Sequence, residues 1–482
     1  MINQSIYRSN FSSRFFNYNN LYSLILNLRE IEDLLLVDDT EAASKLINQL
    51  SEDQSSFKTV FKAEILRIDG NIDKSIELCD SIIYANTDEN VTELHKFIAR
   101  TIKAYDLYRD SKFEECDKVL IEAEMIHELL ADVEKKEFII WYAIFLQVKG
   151  NIQIEKGSTL DSMKNWEKAI EIYRKSKRVG RIPGLISNLG IRYSLLGQIE
   201  KGLEYLHEAE KMIDQDPNSK SNTKYFVKLQ LGRTHTLKGD FTNAIRYLKE
   251  SLDLAYEFNN FHFQHYSIGN LYYTYIEMGD RDQAKLYLDL TVDLLKEGDT
   301  AHYKPILDLF KAMYLQSSKK AKNMIEAQGL LENIVYKDQI SIGVSNTATI
   351  LLVEILLEEL KSYGEQDVLN EIIHLTMRVE ESAKITSSLV LSLQIMLLRS
   401  KFLLITGELV ESNNLLDEAE ELAIQHQINL YSKQIQTEKK RMRSEIHKWE
   451  EMIGRGASIK EKMDLINYQE YIDIAKKYVE SV

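Results

Sequence analysis

NLGIRYSLLGQIEKGLEYLHEAE (Asn188–Glu210), QLGRTHTLKGDFTNAIRYLKESL (Gln230–Leu252) and NLYYTYIEMGDRDQAKLYLDLTV (Asn270–Val292) are one pattern written three times. Each starts on a side-chain amide, passes small or aromatic residues to a turn glycine, and then carries a second helical periodicity. The turn glycines, Gly197, Gly239 and Gly279, stand 42 and 40 residues apart, a period that belongs to helical solenoids. A unit of this length holds two helices joined by a tight turn, and it buries its apolar faces only by stacking on its neighbours.

Residues at fixed positions explain the stacking. Leu189, Gly190, Tyr193, Gly197, Gly202 and Ala209 recur as Leu231, Gly232, His235, Gly239, Ala244 and Ser251, and again as Leu271, Tyr272, Tyr275, Gly279, Ala284 and Thr291. Two helices approach to about 8 Å only where the side chains at the crossing are small. Glycine inside a helix costs about 1 kcal/mol relative to alanine, so Gly190 and Gly232 imply a packing reason. The arrangement resembles the tetratricopeptide-repeat (TPR) family, most clearly over residues 183–295, with Tyr272 departing from the small residue of its slot. The resemblance implies an all-α fold: a right-handed α-solenoid superhelix of about ten helix pairs, each a helix A, a turn and an antiparallel helix B, with a C-terminal capping helix segment.

Outward from the three clear repeats, turns are expected at Gly70-Asn71, Ser111 and Gly157 on one side and near Gly364 and at Gly407 on the other. The chain then divides into an N-terminal tail (1–19), the solenoid (20–428) and a long helix with a capping helix (429–482). The tail carries Phe11, Phe15, Phe16 and Tyr18 and reads as an arm over the first repeat. At the other end, a charged helix from Asn429 to Met452, a Gly454-Arg455-Gly456 break and a helix from Ser458 to Tyr478 would give the solenoid a polar outer face.

Bulk properties exclude several classes of function. Across 482 residues only Pro183, Pro217 and Pro305 occur, each between helical patterns. The net charge of −15 argues against broad nucleic-acid binding and against an anionic membrane surface as partner. Cys79 and Cys116 fall on B helices at slots for small residues, which points to a reducing compartment and hence the cytoplasm. Ile350–Leu360, read as the richest apolar run, is interrupted by Glu354, Glu358 and Glu359, so no membrane insertion is expected. The first twenty residues lack the apolar core of a secretory signal. No Gly-rich phosphate loop, His-Glu-x-x-His, Cys-x-x-Cys or serine nucleophile elbow is found, so neither an enzyme nor a cofactor is expected.

Four constellations remain as candidate sites. Asn188, Gln230 and Asn270 occupy one position in three successive A helices, and a primary amide satisfies the donors and acceptors of an extended peptide backbone together. The arrangement is similar to the asparagine ladders of kinesin-light-chain-type TPR proteins, which implies a groove to which Arg233 adds a carboxylate partner and Tyr266 and Tyr273 add aromatic walls. The basic run Arg174, Lys175, Lys177, Arg178 and Arg181 reads as the solvated end of a helix B. His262 and His265, inside an aromatic cluster from Tyr256 to Tyr275, have a metal-compatible spacing but are expected to pack between repeats. On the C-terminal helix Lys433, Lys439, Lys440, Arg441, Arg443 and Lys448 alternate with Glu438, Glu445, Glu450 and Glu451 and read as i,i+4 pairs on an exposed helix, with a partner helix packing on Met442, Ile446, Trp449 and Ile453 as the alternative.

The function expected from these residues is a non-enzymatic scaffold that binds an extended peptide or a partner's tail in its groove. The alternatives are an adaptor docking through its convex face and C-terminal helix, and a peptide-sensing regulator.

Overall fold

The small residues of the repeat meet where the spacing places them. In a computed structural model the described residues are 27–35, 39–51, 54–85, 90–156, 158–178, 180–215, 221–296, 303–337, 340–385, 388–426 and 428–479. Among them there is no strand, and the fold is an all-α solenoid. The aromatic tail (1–19), the start of the first helix, Gly157 and Pro217 lie outside the described residues. The chain forms two compact units, Met1–Glu155 with Asp161–Leu185, and Lys156–Leu160 with Ile186–Val482.

The first unit contains α1 (27–35), α2 (Thr40–Gln49), α3 (Ser55–Ile68), α4 (Ile72–Ile83), α5 (Glu93–Arg109), α6 (Phe113–Leu129), α7 (Asp132–Glu137), α8 (Ile139–Glu155) and α9 (Thr159–Lys175). Asp39 caps α2 by accepting from the Ala42 amide at 3.0 Å, as its sequence position predicts. The turns fall at Gly70 and Ser111, both in the left-handed region with φ of 82° and 58°. The short α7 is an addition that helical periodicity does not separate from its neighbours. Gly150 is needed because a Cβ there would lie 2.5 Å from Nε1 of the Trp166 indole. In two of these pairs the small slot of helix B is also a hydrogen-bond donor: Ser75 Oγ donates to Ala63 O at 3.0 Å, and Cys116 Sγ to Ala104 O at 3.0 Å.

The basic run corrects the expectation of a solvated terminus. Lys175 does pair with Glu171 at the surface. Arg178, however, reaches buried Glu32 at 2.9 Å, and Arg181 reaches buried Glu64 at 3.4 Å. Glu64 also takes both arms of Arg67 at 2.7 Å. The run therefore anchors α9 and the start of α10 onto α1 and α3. Fully buried Asp106 lies in the same neighbourhood, and burial pushes its carboxyl up to about 7 against the opposing pull of Ser75 and Arg67.

The second unit contains most of α10 (Ile182–Leu195), then α11 (Ile199–Asp214), α12 (Ser221–Lys238), α13 (Phe241–Glu257), α14 (Phe261–Met278), α15 (Arg281–Lys296), α16 (Lys304–Gln316), α17 (Ala321–Val335), α18 (Ile342–Tyr363), α19 (Gln366–Ile385), α20 (Leu389–Thr406) and α21 (Leu409–Gln425). It ends with α22 (Asn429–Gly454), α23 (Ile459–Met463) and α24 (Gln469–Val479). A Cβ on Gly190 would lie 2.7 Å from Leu206 Cγ, one on Gly232 2.5 Å from Leu248 Cγ, and one on Gly202 2.6 Å from Gly190 O. Tyr272, at the equivalent slot of the third repeat, is fully buried, stacks on Phe310 at 4.6 Å and donates its hydroxyl to Phe310 O. The large residue is accommodated by engaging the next A helix, α16.

Two expectations about the C-terminus change. The terminal helix is broken into α23 and α24, and α24 packs on α18 and α20, which are A helices, instead of only closing the end of the stack. Met442 and Trp449 are buried within the unit, so the stripe expected to meet a partner helix is largely consumed internally. Among the described residues Leu389–Thr406, not Ile350–Leu360, is the helix whose length and composition would suffice to cross a bilayer, and 78% of it is buried inside the fold.

Candidate functional site: a polar face across three A helices

The face is held in register by a ladder of buried hydroxyls. Thr234 Oγ1 reaches Ser194 Oγ at 3.4 Å, linking α12 to α10, and Thr236 and Thr274 share a hydrogen bond of 2.9 Å between α12 and α14. Ser194 also donates back to Gly190 O, and Thr236 and Thr274 lie within reach of Gly232 O and Asn270 O, so one of that pair donates to its own helix while the other donates across. A second link runs from Ser251 on α13 through Ser267 to Tyr225, at 2.9 and 3.5 Å, and the Tyr225 hydroxyl donates to Phe263 O at 3.0 Å. Such buried polar contacts fix one sliding register between helices that apolar packing alone leaves adjustable.

On these helices Asn188, Gln230 and Asn270 sit two residues before Gly190, Gly232 and Tyr272, which turns them away from the B helices. All three are half-buried. Gln230 Oε1 accepts from Arg233 at 3.3 Å, and Asn270 Nδ2 donates to Tyr266 O at 2.8 Å. Both contacts lie within a single helix. Tyr266 is 61% exposed and Tyr273 is half-buried.

Arg233 is the group whose electrostatics stand out. Its pKa is pushed down to about 10, first by burial and then by the charge of Arg192 on α10, with the Tyr266 and Tyr225 hydroxyls acting in the opposite direction. Two guanidiniums from successive A helices thus lie close enough for their charges to oppose each other. Arg192 was not singled out from the sequence. The signal was there: it lies one helical turn after Asn188, and Arg233 lies one turn after Gln230.

The histidine pair is engaged in packing. His262 Nδ1 is 2.7 Å from the Tyr303 hydroxyl, and buried His265 lies with its ring 4.6 Å from that of Tyr303. Among the described residues no group of three or more His, Cys, Asp or Glu is placed to hold a metal ion.

Comparison with known proteins follows the same geometry. Residues 229–260 match the family model described as tetratricopeptide repeat. No curated protein matches the chain. Among solved structures, the apo form of the quorum sensor NprR from B. thuringiensis is similar with a TM-score of 0.55 at 15% identity, covering 73% of this chain and 99% of that one. A Rap protein complexed with competence and sporulation factor gives 0.53 at 16% identity, covering 75% and 99%. NprR in complex with its cognate peptide NprX gives 0.50 at 13% identity, covering 73% and 98%. At these identities the likeness is one of fold.

Proposed function

We infer, from the all-α solenoid fold and the tetratricopeptide-repeat match of residues 229–260, that this chain is a non-enzymatic protein-interaction scaffold whose α10–α12–α14 face captures an extended peptide carrying a carboxylate. The observation that carries this reading is the register-locked row of Asn188, Gln230 and Asn270 with Arg192 and Arg233 on the same face. Amides grip the peptide backbone and fix its direction, the guanidinium pair takes an acidic side chain or the C-terminal carboxylate, and Tyr266 and Tyr273 flank apolar side chains. One of the similar folds is described as a complex with its cognate peptide, which favours a peptide-sensing role over a passive one. The two cysteines of the chain, both buried, accord with a reducing, cytoplasmic setting.

The test is capture from a randomised synthetic heptapeptide library. Enrichment of acidic peptides by the parent chain, and its loss in an Asn188→Ala, Gln230→Ala, Asn270→Ala variant of unchanged helicity, is the expected result. Equal capture by that variant removes the groove from consideration.

A second reading, docking through the outer face of the B helices, is favoured by Ile121, Met125 and Leu129, which are one turn apart on α6 and more than half exposed. Changing Met125→Glu and Leu129→Glu would abolish co-purification of a docked partner and leave peptide capture intact.

A further inference from the structure

The C-terminal part of the second unit holds a helix seated as a ligand would be. α24 lies on α18 and α20, while the B helices α19 and α21 pack on those same A helices. Its stripe of Tyr471, Ile472 and Ala475, continued by Tyr468 just before the helix, is buried. Its polar groups meet fixed acceptors: the Tyr468 hydroxyl donates to Glu358 at 2.9 Å, Gln469 Nε2 to Glu354 at 3.1 Å, and Lys476 Nζ to Glu354 at 3.3 Å. The Tyr471 hydroxyl bonds Glu438, and its ring centroid lies 5.8 Å from Lys401 Nζ.

The receiving face is self-sufficient in charge. Lys401 and Glu438 pair with each other. Burial alone would raise the Glu438 carboxyl, but the charge and hydrogen bond of Lys401 outweigh it and hold the pKa below its usual value. Glu354 keeps a donor from α16, Gln316 at 2.7 Å. Removing α24 therefore uncovers apolar surface without abandoning a buried charge, which is the term that makes breaking a buried ion pair so costly. The helix is short, and five residues, Asp464–Tyr468, join it to α23.

We propose that the α18–α20 face is a second recognition surface, built for an amphipathic helix, which α24 occupies in cis and from which a partner helix with the same Tyr-x-x-Tyr-Ile-x-x-Ala stripe displaces it. The mode is a helix laid in a groove, with aromatic anchors one turn apart and donors facing Glu354 and Glu358. It differs from the extended-peptide mode of α10–α14 and does not depend on it.

The experiment uses the full chain with a site-specific protease sequence in place of Asp464–Asn467, cut after folding. A fluorescent synthetic peptide of residues 468–482 is the probe. It is expected to enter the cut chain and release the native helix, and to bind the uncut chain at least about tenfold more weakly. The same peptide carrying Tyr471→Ala and Ile472→Ala should lose about a hundredfold in affinity. Unfolding on cleavage, or retention of α24 without exchange against excess peptide, would overturn the proposal by making the helix an integral part of the core. Hydrogen exchange on the unaltered chain gives an independent reading. Opening of α24 ahead of α18 and α20 is expected, and exchange of α24 only with the whole unit would again overturn it.

Discussion

α14 and α20 are A helices of the same kind of repeat, and the faces they turn away from their B helices are opposite in character. On α14 that face carries Tyr266, Asn270 and Tyr273, exposed or half-buried. On α20 fourteen of eighteen residues are buried, including Leu393, Met396, Leu397 and Lys401, because α21 packs on the helix from one direction and α24 from another. The repeat geometry leaves an inner face on every A helix. Its polarity differs with what covers it: apolar on α20, where α24 fills it, and amide and aromatic on α14, where the chain leaves it open.

The sharpest way to break this contrast is to attack the filled region. Trp449, 1% exposed on α22, anchors it, and Trp449→Ala should cost about 3–5 kcal/mol in denaturant unfolding of the second unit. Little loss would mean that the C-terminal packing is loose and the contrast overstated. In the open region the same kind of truncation should do the reverse. The Asn188, Gln230, Asn270 triple alanine variant should lose about 3 kcal/mol of peptide affinity, near a hundredfold, with an unchanged melting curve. A fall in melting temperature comparable to that of Trp449→Ala would make those amides structural.

The first unit supplies a third environment, filled by charge. Asp106 has a folded-state pKa raised to about 7 by burial, against an unfolded value of about 3.9. A raised carboxyl contributes stability that is complete below the unfolded pKa and is lost as pH climbs through the folded one. Asp106 should therefore contribute about 2–3 kcal/mol less at about pH 8 than at about pH 5. Urea titrations of the parent and of Asp106→Asn at the two pH values check this, since the pH dependences of the two chains should differ by that amount while Glu32 and His127 titrate in both. The smallest effect concerns the register. Thr236→Val, which removes one side of the buried pair with Thr274, should cost about 1 kcal/mol, and a double-mutant cycle with Thr274→Val should show that the two changes are not additive.

The repeat was legible because its determinants are local and periodic. Turn glycines need a left-handed φ, and Gly190, Gly202 and Gly232 need the space that their neighbours leave. The common position of Asn188, Gln230 and Asn270 was legible for the same reason, since a residue two places before the small slot is turned away from helix B. What escaped the sequence depends on contacts distant in the chain. Arg178 reads as a solvated cation until Glu32, 146 residues earlier, is brought beside it. The apolar surplus of α20 reads only as a hydrophobic run until α24 covers it. Ser75 and Cys116 look merely small, yet each donates to a carbonyl twelve residues back across the helix pair.

The central claim is that the open face, not the filled one, receives the peptide. Hydrogen–deuterium exchange across the whole chain, with and without a peptide selected from the heptapeptide library, tests it most directly. Slowed exchange is predicted in α10, α12 and α14 around Asn188, Gln230 and Asn270, with α18 and α20 unchanged. Protection confined to α18 and α20, or to the exposed stripe of α6, would contradict it.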